Sequence, residues 1–493
     1  MKKMLYTTLL LTTLTQICYA NDTLRLTLDD AIVMARTRSL DAAVALDELR
    51  AAYWQYRSYK ADLLPEVSIS ATAPYLSRSY NSYQNSDGSY TFVRNNYLQM
   101  NGKVNIRQNI WLTGGTISLS SSVDYLKSLT GDKNERYMNT PVTLNLSQPL
   151  FGVNSIKWDR RIEPVRYAEA KANFLSETEE ITMSCISHYF TLLIAIENVN
   201  IAQQNLENAK KLYEVAIAKR KMGKISENDV LQIKLNLLNE ESDLTSYISS
   251  MKSAQFTLCT FLNLDNGTEI IPSLPLKTAE LELLYEEVLD KALANNSLLH
   301  NIERRRLQAD YNVAVAKSNL RQISLNAQIG YSGTDKEFGE AYGRLNGNQI
   351  VNVGISIPIL DWGKRRGNIK IAESNREITN NRIEQEIRNF KNSLFVLVGQ
   401  FNNQQRQLEI AREADRIAEK RYNTNLETFL IGKISTIDLN DAQLSKDQAR
   451  RSHIYQLQNY WYYYYKIRSI ALWDFENNCT IDADIEEIIK SSI

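Results

Sequence analysis

Two long stretches of this sequence lack nearly all the residues that interrupt helices. From 165 to 264 there is no proline, and the only glycine is Gly223. From 368 to 493 there is again no proline, and the only glycines are Gly399 and Gly432. Because proline and glycine interrupt helices most strongly, each stretch predicts two long helices joined by a turn at Gly223 or Gly432.

Apolar and small residues recur in the first stretch in steps of three and four, which is the spacing of one helix face. Such a seam requires a partner helix, so we expect each stretch to fold back at its glycine into an antiparallel hairpin. A helix of about 60 residues would be roughly 90 Å long, which exceeds the core of an ordinary globular domain. The seam residues are Ile186, Phe190, Leu193, Leu206, Ala209, Tyr213, Ala216, Leu231, Leu235 and Leu238.

Six other segments alternate apolar and polar residues. The alternation predicts strands of about ten residues with one apolar and one polar face, as in membrane barrels. Aromatic residues gather around these segments, and we expect them at strand ends and in loops, as a girdle at the membrane interface. The segments are 67–71, 104–111, 117–125, 142–146, 327–331 and 351–357. The aromatic residues are Tyr75, Tyr80, Tyr83, Tyr90, Phe92, Tyr97, Tyr125 and Tyr137.

The two stretches belong to an internal duplication, because matching segments occur twice in the same order. Each half predicts a helix, strands, a long helix, a Gly-Lys-Ile-Ser turn and a returning helix. We assign 21–264 to the first repeat and 283–472 to the second. We interpret 265–282 as a linker that forms an equatorial strap with the tail at 473–493. The matched segments are 49–53 with 307–311, 147–151 with 356–360, 211–213 with 420–422, and 223–230 with 432–439.

Both matched turns carry residues that end one helix and begin the next. The glycine provides the left-handed conformation of a C-terminal cap. A serine three residues later begins the next helix, and an aspartate completes a capping box. Thr27 and Asp30 show the same signal before the first helix. Helix capping alone explains most of this pattern. The residues are Gly223, Ser226 and Asp229 in the first turn and Gly432, Ser435 and Asp438 in the second.

Residues 1–20 are typical of a signal peptide, because Lys2 and Lys3 precede a short apolar stretch. The alternative is a lipoprotein signal acylated at Cys18, although Ile17 stands where a small residue is usual. The other three cysteines are widely separated, which indicates neither a disulfide framework nor a zinc site. The net charge of zero gives no sign of nucleic-acid binding.

No catalytic site is indicated. The sequence has no nucleotide-binding loop, zinc-protease motif or nucleophile elbow, and its three histidines lie apart from cysteines and acidic clusters. We therefore expect that the protein is not an enzyme and has no cofactor or metal site. After the signal peptide no stretch has the roughly 18 consecutive apolar residues of a spanning helix, so a membrane location would require a closed barrel.

These features resemble the TolC-like outer-membrane efflux family over essentially the whole mature sequence. The resemblance rests on the two tyrosine to Gly-(x)5-Asp turns, the strand-to-helix junctions at Pro149 and Pro358, and the signal peptide. It implies a homotrimeric, mainly helical channel-tunnel, in which duplicated hairpins form a periplasmic α-barrel and strands from each protomer share one transmembrane β-barrel. The implied function is passive conduction of cargo from an inner-membrane transporter and its periplasmic adaptor, across the outer membrane, to the exterior.

The resemblance also implies roles for the two turns. They would form the periplasmic entrance, where the adaptor docks. The family's two entrance acids fall on Asp438 and Asp441 through the match Gly-(x)5-Asp-x-x-Asp. Six carboxylates around a narrow trimeric pore would favour cations; otherwise Asp438 is a cap and Asp441 a solvated surface residue. The implied docking residues are Gly223, Lys224, Ser226, Asp229, Gly432, Lys433 and Ser435.

Two features depart from the family pattern. The closed family channel is latched by a basic residue two positions after the second glycine, where this chain has Ile434 beside Lys433. The family has two strands in each half, whereas this sequence predicts as many as six in all, with an extra hairpin across Gly114 and Gly115. Two alternatives stay open: a duct for type I polypeptide secretion, and a soluble periplasmic coiled-coil adaptor or scaffold.

Overall fold

The computed structural model describes residues 23–130, 134–265, 267–275, 281–319, 322–356, 359–431 and 433–481. The signal segment with Cys18, the end of the tail at 482–493, Pro358 and Gly432 lie outside these residues. The chain forms two compact units. The first comprises the described parts of Met1–Glu48, Asn173–Asn296 and Lys391–Ile493, and the second those of Leu49–Ala172 and Ser297–Phe390.

Helices dominate the described residues, and strands occur in both units. The helices are α1 (Leu28–Arg38), α2 (Leu40–Ala61), α3 (Ser155–Lys221), α4 (Glu227–Phe261), α5 (Tyr285–Asn295), α6 (Ser297–Ser318), α7 (Phe338–Gly343), α8 (Lys364–Leu430) and α9 (Thr436–Ala471). The strands are β1 (Thr23–Leu26), β2 (Glu66–Gln84), β3 (Tyr90–Ile110), β4 (Gly115–Ser128), β5 (Glu135–Pro149), β6 (Glu269–Pro272), β7 (Gln322–Asp335), β8 (Asn346–Ser356), β9 (Trp473–Asp474) and β10 (Cys479–Thr480).

The structure contains the two predicted pairs of long helices, α3 with α4 and α8 with α9. α3 and α8 each contain 67 residues, and short turns connect them to α4 and α9. The predicted start of α1 is also present, because Thr27 accepts a hydrogen bond from the Asp30 N–H. In α3, an 18-residue window has a mean hydropathy of 1.2, enough for a spanning helix by composition. However, 56% of that window is buried inside the protein, as in an ordinary core helix.

The predicted seam is buried on α3 but not on α4. Ile186 and Phe190 are fully buried, whereas Leu231, Leu235 and Leu238 are 58%, 52% and 52% exposed. These three leucines are therefore not the buried seam of α4, where Ile233 is 8% exposed. The described part of the chain leaves more than half of each leucine uncovered.

In its described residues, the second unit contains an antiparallel sheet of six strands in the order β2-β3-β4-β5-β7-β8. All six predicted segments overlap these strands, although Trp111 follows the end of β3 and residue 357 lies outside the described residues. The extra hairpin belongs to the same sheet. β2 and β3 contain 19 and 21 residues, about twice the predicted length. A register shift between Thr72 and Tyr75 interrupts the alternation, but the pairing continues to Gln84 and Tyr90. The sequence pattern therefore marked only part of this hairpin.

The register gives the sheet one apolar and one polar face. Side chains of adjacent rows point to opposite faces. The apolar row Val67, Ile106, Leu119, Leu144 and Ile329 crosses five strands. The neighbouring row Ser68, Asn105, Ser120 and Thr143 is polar.

The expected placement of aromatic residues in loops is wrong, whereas their placement at strand ends is right for some of them. All eight lie within strands, because β2 and β3 are longer than predicted. Tyr83 and Tyr90 stand at the adjoining ends of β2 and β3. A one-residue shift in register exchanges the faces of a strand, and the shift after Thr72 moves Tyr75 and Tyr83 to the polar face. Tyr97 faces the same side as Tyr75, and their rings are 6.3 Å apart. The five residues that share the apolar face are Tyr80, Tyr90, Phe92, Tyr125 and Tyr137.

In the first unit, the linker pairs with the start of the described chain. β1 and β6 are parallel neighbours, whereas β9 and β10 of the tail pair with each other. The hydroxyl oxygen of Tyr189 on α3 lies 3.0 Å from the Leu26 carbonyl oxygen and 2.6 Å from that of Ser273. This tyrosine therefore attaches both strands of the parallel pair to α3.

A buried carboxylate joins three helices of the first unit. Glu179 on α3 is 1% exposed and accepts a hydrogen bond from Arg36 of α1 at 2.7 Å. Arg468 of α9 lies 3.3 Å from the other Glu179 oxygen and donates to Asp474 of β9 at 2.9 Å. An unpaired buried charge is costly, so these contacts fix α1, α3, α9 and β9 relative to one another.

Candidate functional site at the helical turns

The first turn ends α3 with a left-handed glycine. Gly223 has a φ of 72°, a backbone conformation that residues other than glycine rarely adopt. Its N–H donates to the Arg220 carbonyl at 2.8 Å, and the Lys224 N–H donates to the Lys219 carbonyl at 2.9 Å. These bonds define a Schellman motif. No atom lies within 4 Å of a Cβ placed at Gly223, so the backbone conformation, not the available space, requires glycine.

The second turn contains the equivalent of the hydrogen bond between Lys224 and Lys219, which spans five residues. The Lys433 N–H donates to the Thr428 carbonyl at 3.1 Å, as Lys224 donates to Lys219. Gly432, which precedes Lys433, lies outside the described residues. The two turns thus end their helices with the same backbone contact.

Both turns begin the next helix with the predicted capping box. Ser226 Oγ accepts from the Asp229 N–H at 3.1 Å, and Asp229 Oδ2 accepts from the Ser226 N–H at 3.0 Å. The same distances for Ser435 and Asp438 are 3.2 and 3.1 Å. Hydrogen bonds from the serine side chain, and next from its backbone, lower the pKa of both aspartates. Both carboxyl groups are therefore ionised while they act as caps.

The expected second entrance acid, Asp441, has a partner that sequence reasoning missed. Arg421 on α8 donates from Nη2 to Asp441 Oδ2 at 2.6 Å, and its Nη1 lies 3.4 Å from Ser445 Oγ. At least half of each charged side chain is exposed. The only signal in the sequence was the matched Lys-x-Tyr segment, in which Arg421 stands where the first half has Leu212.

The second turn also contacts an apolar core. Tyr422, Phe429, Leu439 and Ala442 are buried together, and Ile434 packs against them. Ile434 stands where the resemblance implies a basic latch, and its contact with the core is apolar. Lys433 beside it is exposed.

Charged residues also connect α3, α8 and α9. Arg450 donates to Glu197 at 2.7 Å and to Asp415 at 3.2 Å. His453 Nδ1 lies 3.0 Å from the same Asp415 oxygen. Nothing in the sequence indicated this contact, since His453 and Asp415 are 38 positions apart. Glu197, Asp415 and Arg450 border a polar cavity of about 460 Å³. Among the described residues, no group of three or more histidines, cysteines or acids could hold a metal ion.

The junction at Pro149 lies where β5 ends. The Leu150 N–H donates to the Ile323 carbonyl at 2.8 Å, and Gln148 Nε2 donates to the Thr113 carbonyl at 3.0 Å. The chain thus stays bonded to neighbouring segments until shortly before α3. Pro358, the matched junction, lies outside the described residues.

Hairpins, sheet and turns together match a known family. The model of the outer membrane efflux protein family matches residues 31–264 and 288–461. The chain belongs to the outer membrane efflux protein family. It is located in the outer membrane and functions there in efflux. This location excludes the soluble adaptor or scaffold.

Individual relatives agree with this assignment. The chain is 25% identical over 448 residues to the pyoverdine export outer membrane protein OpmQ of Pseudomonas putida, covering 87% of this chain and 83% of that protein. It is 25% identical over 341 residues to the cobalt-zinc-cadmium resistance protein CzcC of Cupriavidus metallidurans, covering 66% and 75%. The solved CmeC outer membrane channel of Campylobacter jejuni has the same fold, with a TM-score of 0.67 at 16% identity over 94% and 88% of the two chains.

Proposed function

We propose that three copies of this chain form one channel-tunnel, in which the sheets close a common barrel and the hairpins form a periplasmic tunnel. The observation that carries the proposal is a two-faced sheet with open edges. Within the described residues, β2 and β8 at these edges each pair on one side only. Unpaired backbone groups are costly in a membrane, and an open edge favours pairing with another chain. Neighbouring protomers would supply the missing strands.

The number of strands supports a wide exit. Six strands from each of three protomers would make a barrel of eighteen. Barrel diameter increases with strand number, and barrels of roughly 16 to 18 strands enclose a water-filled channel. Ser118, Asn145 and Gln328 form a row on the polar face and would line this channel. The family pattern of two strands in each half would give a narrower barrel.

The exposed face of α4 supports contact between protomers. Leu231, Leu235 and Leu238 lie along this face, and apolar helix seams of this kind pack against other helices. We expect Leu235→Glu to prevent assembly of the trimer. Lys234→Glu, a charge change at the exposed neighbouring position, should leave assembly intact.

Native mass spectrometry of the detergent-solubilised protein and single-channel recordings in planar bilayers test the assembly. We expect a trimer with a large, stable conductance. A water-soluble monomer without pore activity would refute the proposed channel. A trimer in the Leu235→Glu variant would refute the assigned interface.

We propose that the two turns dock a periplasmic adaptor, which joins the channel to an inner-membrane transporter. Lys224 and Lys433 are both exposed, and the sequence has no nucleotide-binding motif with which to energise export. A photo-crosslinking amino acid at either position should capture the adaptor in cells. The same amino acid at Asp87, in the turn between β2 and β3, is the control. Export without capture from either turn would contradict this assignment. The full docking set is Gly223, Lys224, Ser226, Asp229, Gly432, Lys433 and Ser435.

We propose that Asp438 and Asp441 form the entrance ring. They lie three positions apart at the start of α9, and both are exposed. Arg421 offsets the charge of Asp441 in each protomer, so the ring attracts cations less strongly than six free carboxylates would.

Asp441→Asn tests the ring without disturbing the helix cap. We expect it to reduce cation preference, measured as the reversal potential in a salt gradient, and to weaken block by multivalent cations. Ser435→Ala is the matched control, because it weakens the cap but removes no charge. An unchanged reversal potential in Asp441→Asn would exclude Asp441 from the ring.

The cargo that we favour is a small molecule or metal ion, because OpmQ is named for pyoverdine export and CzcC for metal resistance. The six-stranded sheet supports a second candidate, a duct for type I polypeptide secretion, since a wider barrel admits larger cargo. The transporter and adaptor that co-purify with the trimer distinguish these candidates.

We also propose that 21–264 and 283–472 are two copies of one structural unit. The matched capping boxes support this division. The linker at 265–282 and the tail at 473–493 then belong to neither copy.

A further inference from the structure

Helix α7, between β7 and β8, is seated on the apolar face of the sheet. Gly333 on β7 pairs with Asn139 on β5. Asn139 Nδ2 donates to the Phe338 carbonyl at 3.0 Å, and a Cβ at Gly333 would overlap the Ala341 carbonyl oxygen. Asn139 and Ala341 are both fully buried. The glycine therefore makes room for the helix, and the asparagine holds it.

Four aromatic residues form a continuous row beside α7, and we call them the aromatic shelf: Tyr125, Tyr137, Phe338 and Tyr342. Their successive ring centroids are 5.1, 5.8 and 5.3 Å apart. Phe338 and Tyr342 are still 49% and 39% exposed. A substantial part of the shelf thus remains uncovered by the described residues of this chain.

The shelf lies at a transition between apolar and charged residues. Lys127 on β4 forms an ion pair with Glu135 on β5. Nη1 of Arg344, which follows α7, lies 4.0 Å from Asp335 Oδ2. The residues of this face are, in order, Ile117, Leu119, Ser121, Val123, Tyr125 and Lys127 on β4. On β7 they are Ala327, Ile329, Tyr331, Gly333 and Asp335. Both strands pass from mainly aliphatic to aromatic to charged residues, as surfaces that cross a membrane boundary do.

We propose that the aromatic shelf binds the lipid headgroup boundary of the outer membrane, so that α7 rests on the lipid surface instead of extending into water. Aromatic rings favour this boundary because their faces are apolar and tyrosine hydroxyls bond to water and headgroups. The shelf would then fix the depth of the sheet in the membrane. The inference rests on the proposed function, since the apolar face must contact lipid.

Spin labels at Phe338→Cys and Tyr342→Cys test this placement. The background is the Cys479→Ser variant of the mature protein, because Cys479 is the exposed free thiol while Cys185 and Cys259 are buried. In phospholipid vesicles, collisions of each label with oxygen, which concentrates in lipid, are compared with collisions with a water-soluble nickel complex.

Two reference labels make the outcomes distinguishable. Ile329→Cys reports the middle of the apolar face, and Asp87→Cys reports the exposed turn between β2 and β3. We expect the ratio of oxygen to nickel collisions at Phe338 and Tyr342 to lie between these references and severalfold above that of Asp87. Ratios equal to that of Asp87, with Ile329 in lipid, would overturn the shelf but leave the barrel. A water-exposed label at Ile329 would overturn the barrel itself.

A matched pair of alanine substitutions tests whether the sheet holds α7 at the boundary. Gly333→Ala places a Cβ against the Ala341 carbonyl, whereas Gly339→Ala on α7 places one in open space. Gly333→Ala should move the Phe338 label towards water, and Gly339→Ala should not. If the Gly333→Ala protein is trimeric and the ratio of oxygen to nickel collisions at the Phe338 label is unchanged, the contact of α7 with Gly333 does not position the shelf.

Discussion

The first and second turns have the same backbone design but opposite surroundings. The last turn of α3 carries Lys219, Arg220 and Lys221, whereas the last turn of α8 has no basic residue. Phe429 of the buried core occupies the position that corresponds to Arg220. One turn is therefore a cationic surface, and the other covers an apolar core.

The charges on the returning helices differ as well. Arg421 and Asp441 form an ion pair at the second turn, and the first turn has Leu212 and Gln232 at the matched positions. The glycine, serine and aspartate that the backbone requires are common to both turns. The side chains that a partner or a permeating ion would meet have diverged. This contrast is consistent with a role in ion selection at the second turn that the first turn lacks.

The largest expected difference between the turns is in packing. Leu439 is 3% exposed in the core of the second turn, so Leu439→Ala should lower the free energy of unfolding by about 2–5 kcal/mol through lost burial and a cavity. Val230, at the matched position, is only partly buried, and Val230→Ala should cost much less. Urea unfolding followed by circular dichroism measures both; equal losses would contradict the asymmetry.

Glycine substitution should have the next largest effect. Gly223→Val forces a β-branched residue into the left-handed region and should cost about 1–3 kcal/mol. Gly223→Asn should cost less, because asparagine tolerates this conformation. The same unfolding measurement applies. Similar costs for valine and asparagine would indicate that the left-handed backbone is not retained in solution.

Removal of the capping serine should lower the free energy of unfolding by the same amount in both turns. Ser226→Ala and Ser435→Ala should each cost about 1 kcal/mol. Because the hydrogen bonds depress the pKa of Asp229 and Asp438 in the folded state, their contribution is present above the unfolded pKa and is lost as the pH falls through the folded value. With an ordinary value of 3.8, the loss lies below about pH 4. The difference in stability between wild type and the alanine variants should therefore be larger above this range than below it, where only the bond from the aspartate N–H to the serine oxygen is lost.

The smallest effect on stability is expected for Arg421→Leu, which introduces the residue of the first turn. An exposed ion pair contributes less than about 1 kcal/mol. The reversal potential should nevertheless shift towards stronger cation preference, because Asp441 loses its counter-charge. A shift in the opposite direction, or none, would place this pair away from the ion path.

The hairpins and capping boxes were predictable because they depend on residues only a few positions apart. The contacts of Arg421 with Asp441 and of His453 with Asp415 were not, since they depend on how packed helices are rotated about their axes. The length of β2 was hidden by the register shift after Thr72. The seating of α7 on Gly333 depends on strand pairing, which one sequence does not reveal.

The parallel pair of β1 and β6 has a consequence for biogenesis. Thr23 pairs with Glu269 and Leu26 with Pro272, so this pairing encloses residues 27–268, with α3 and α4 among them, in one loop. Closing such a loop is entropically costly, and non-local pairings slow folding, whereas α3 and α4 can associate locally. A nascent chain that stops before Glu269 would keep β1 without its partner. Completion of this pair would therefore require synthesis to have passed the end of α4.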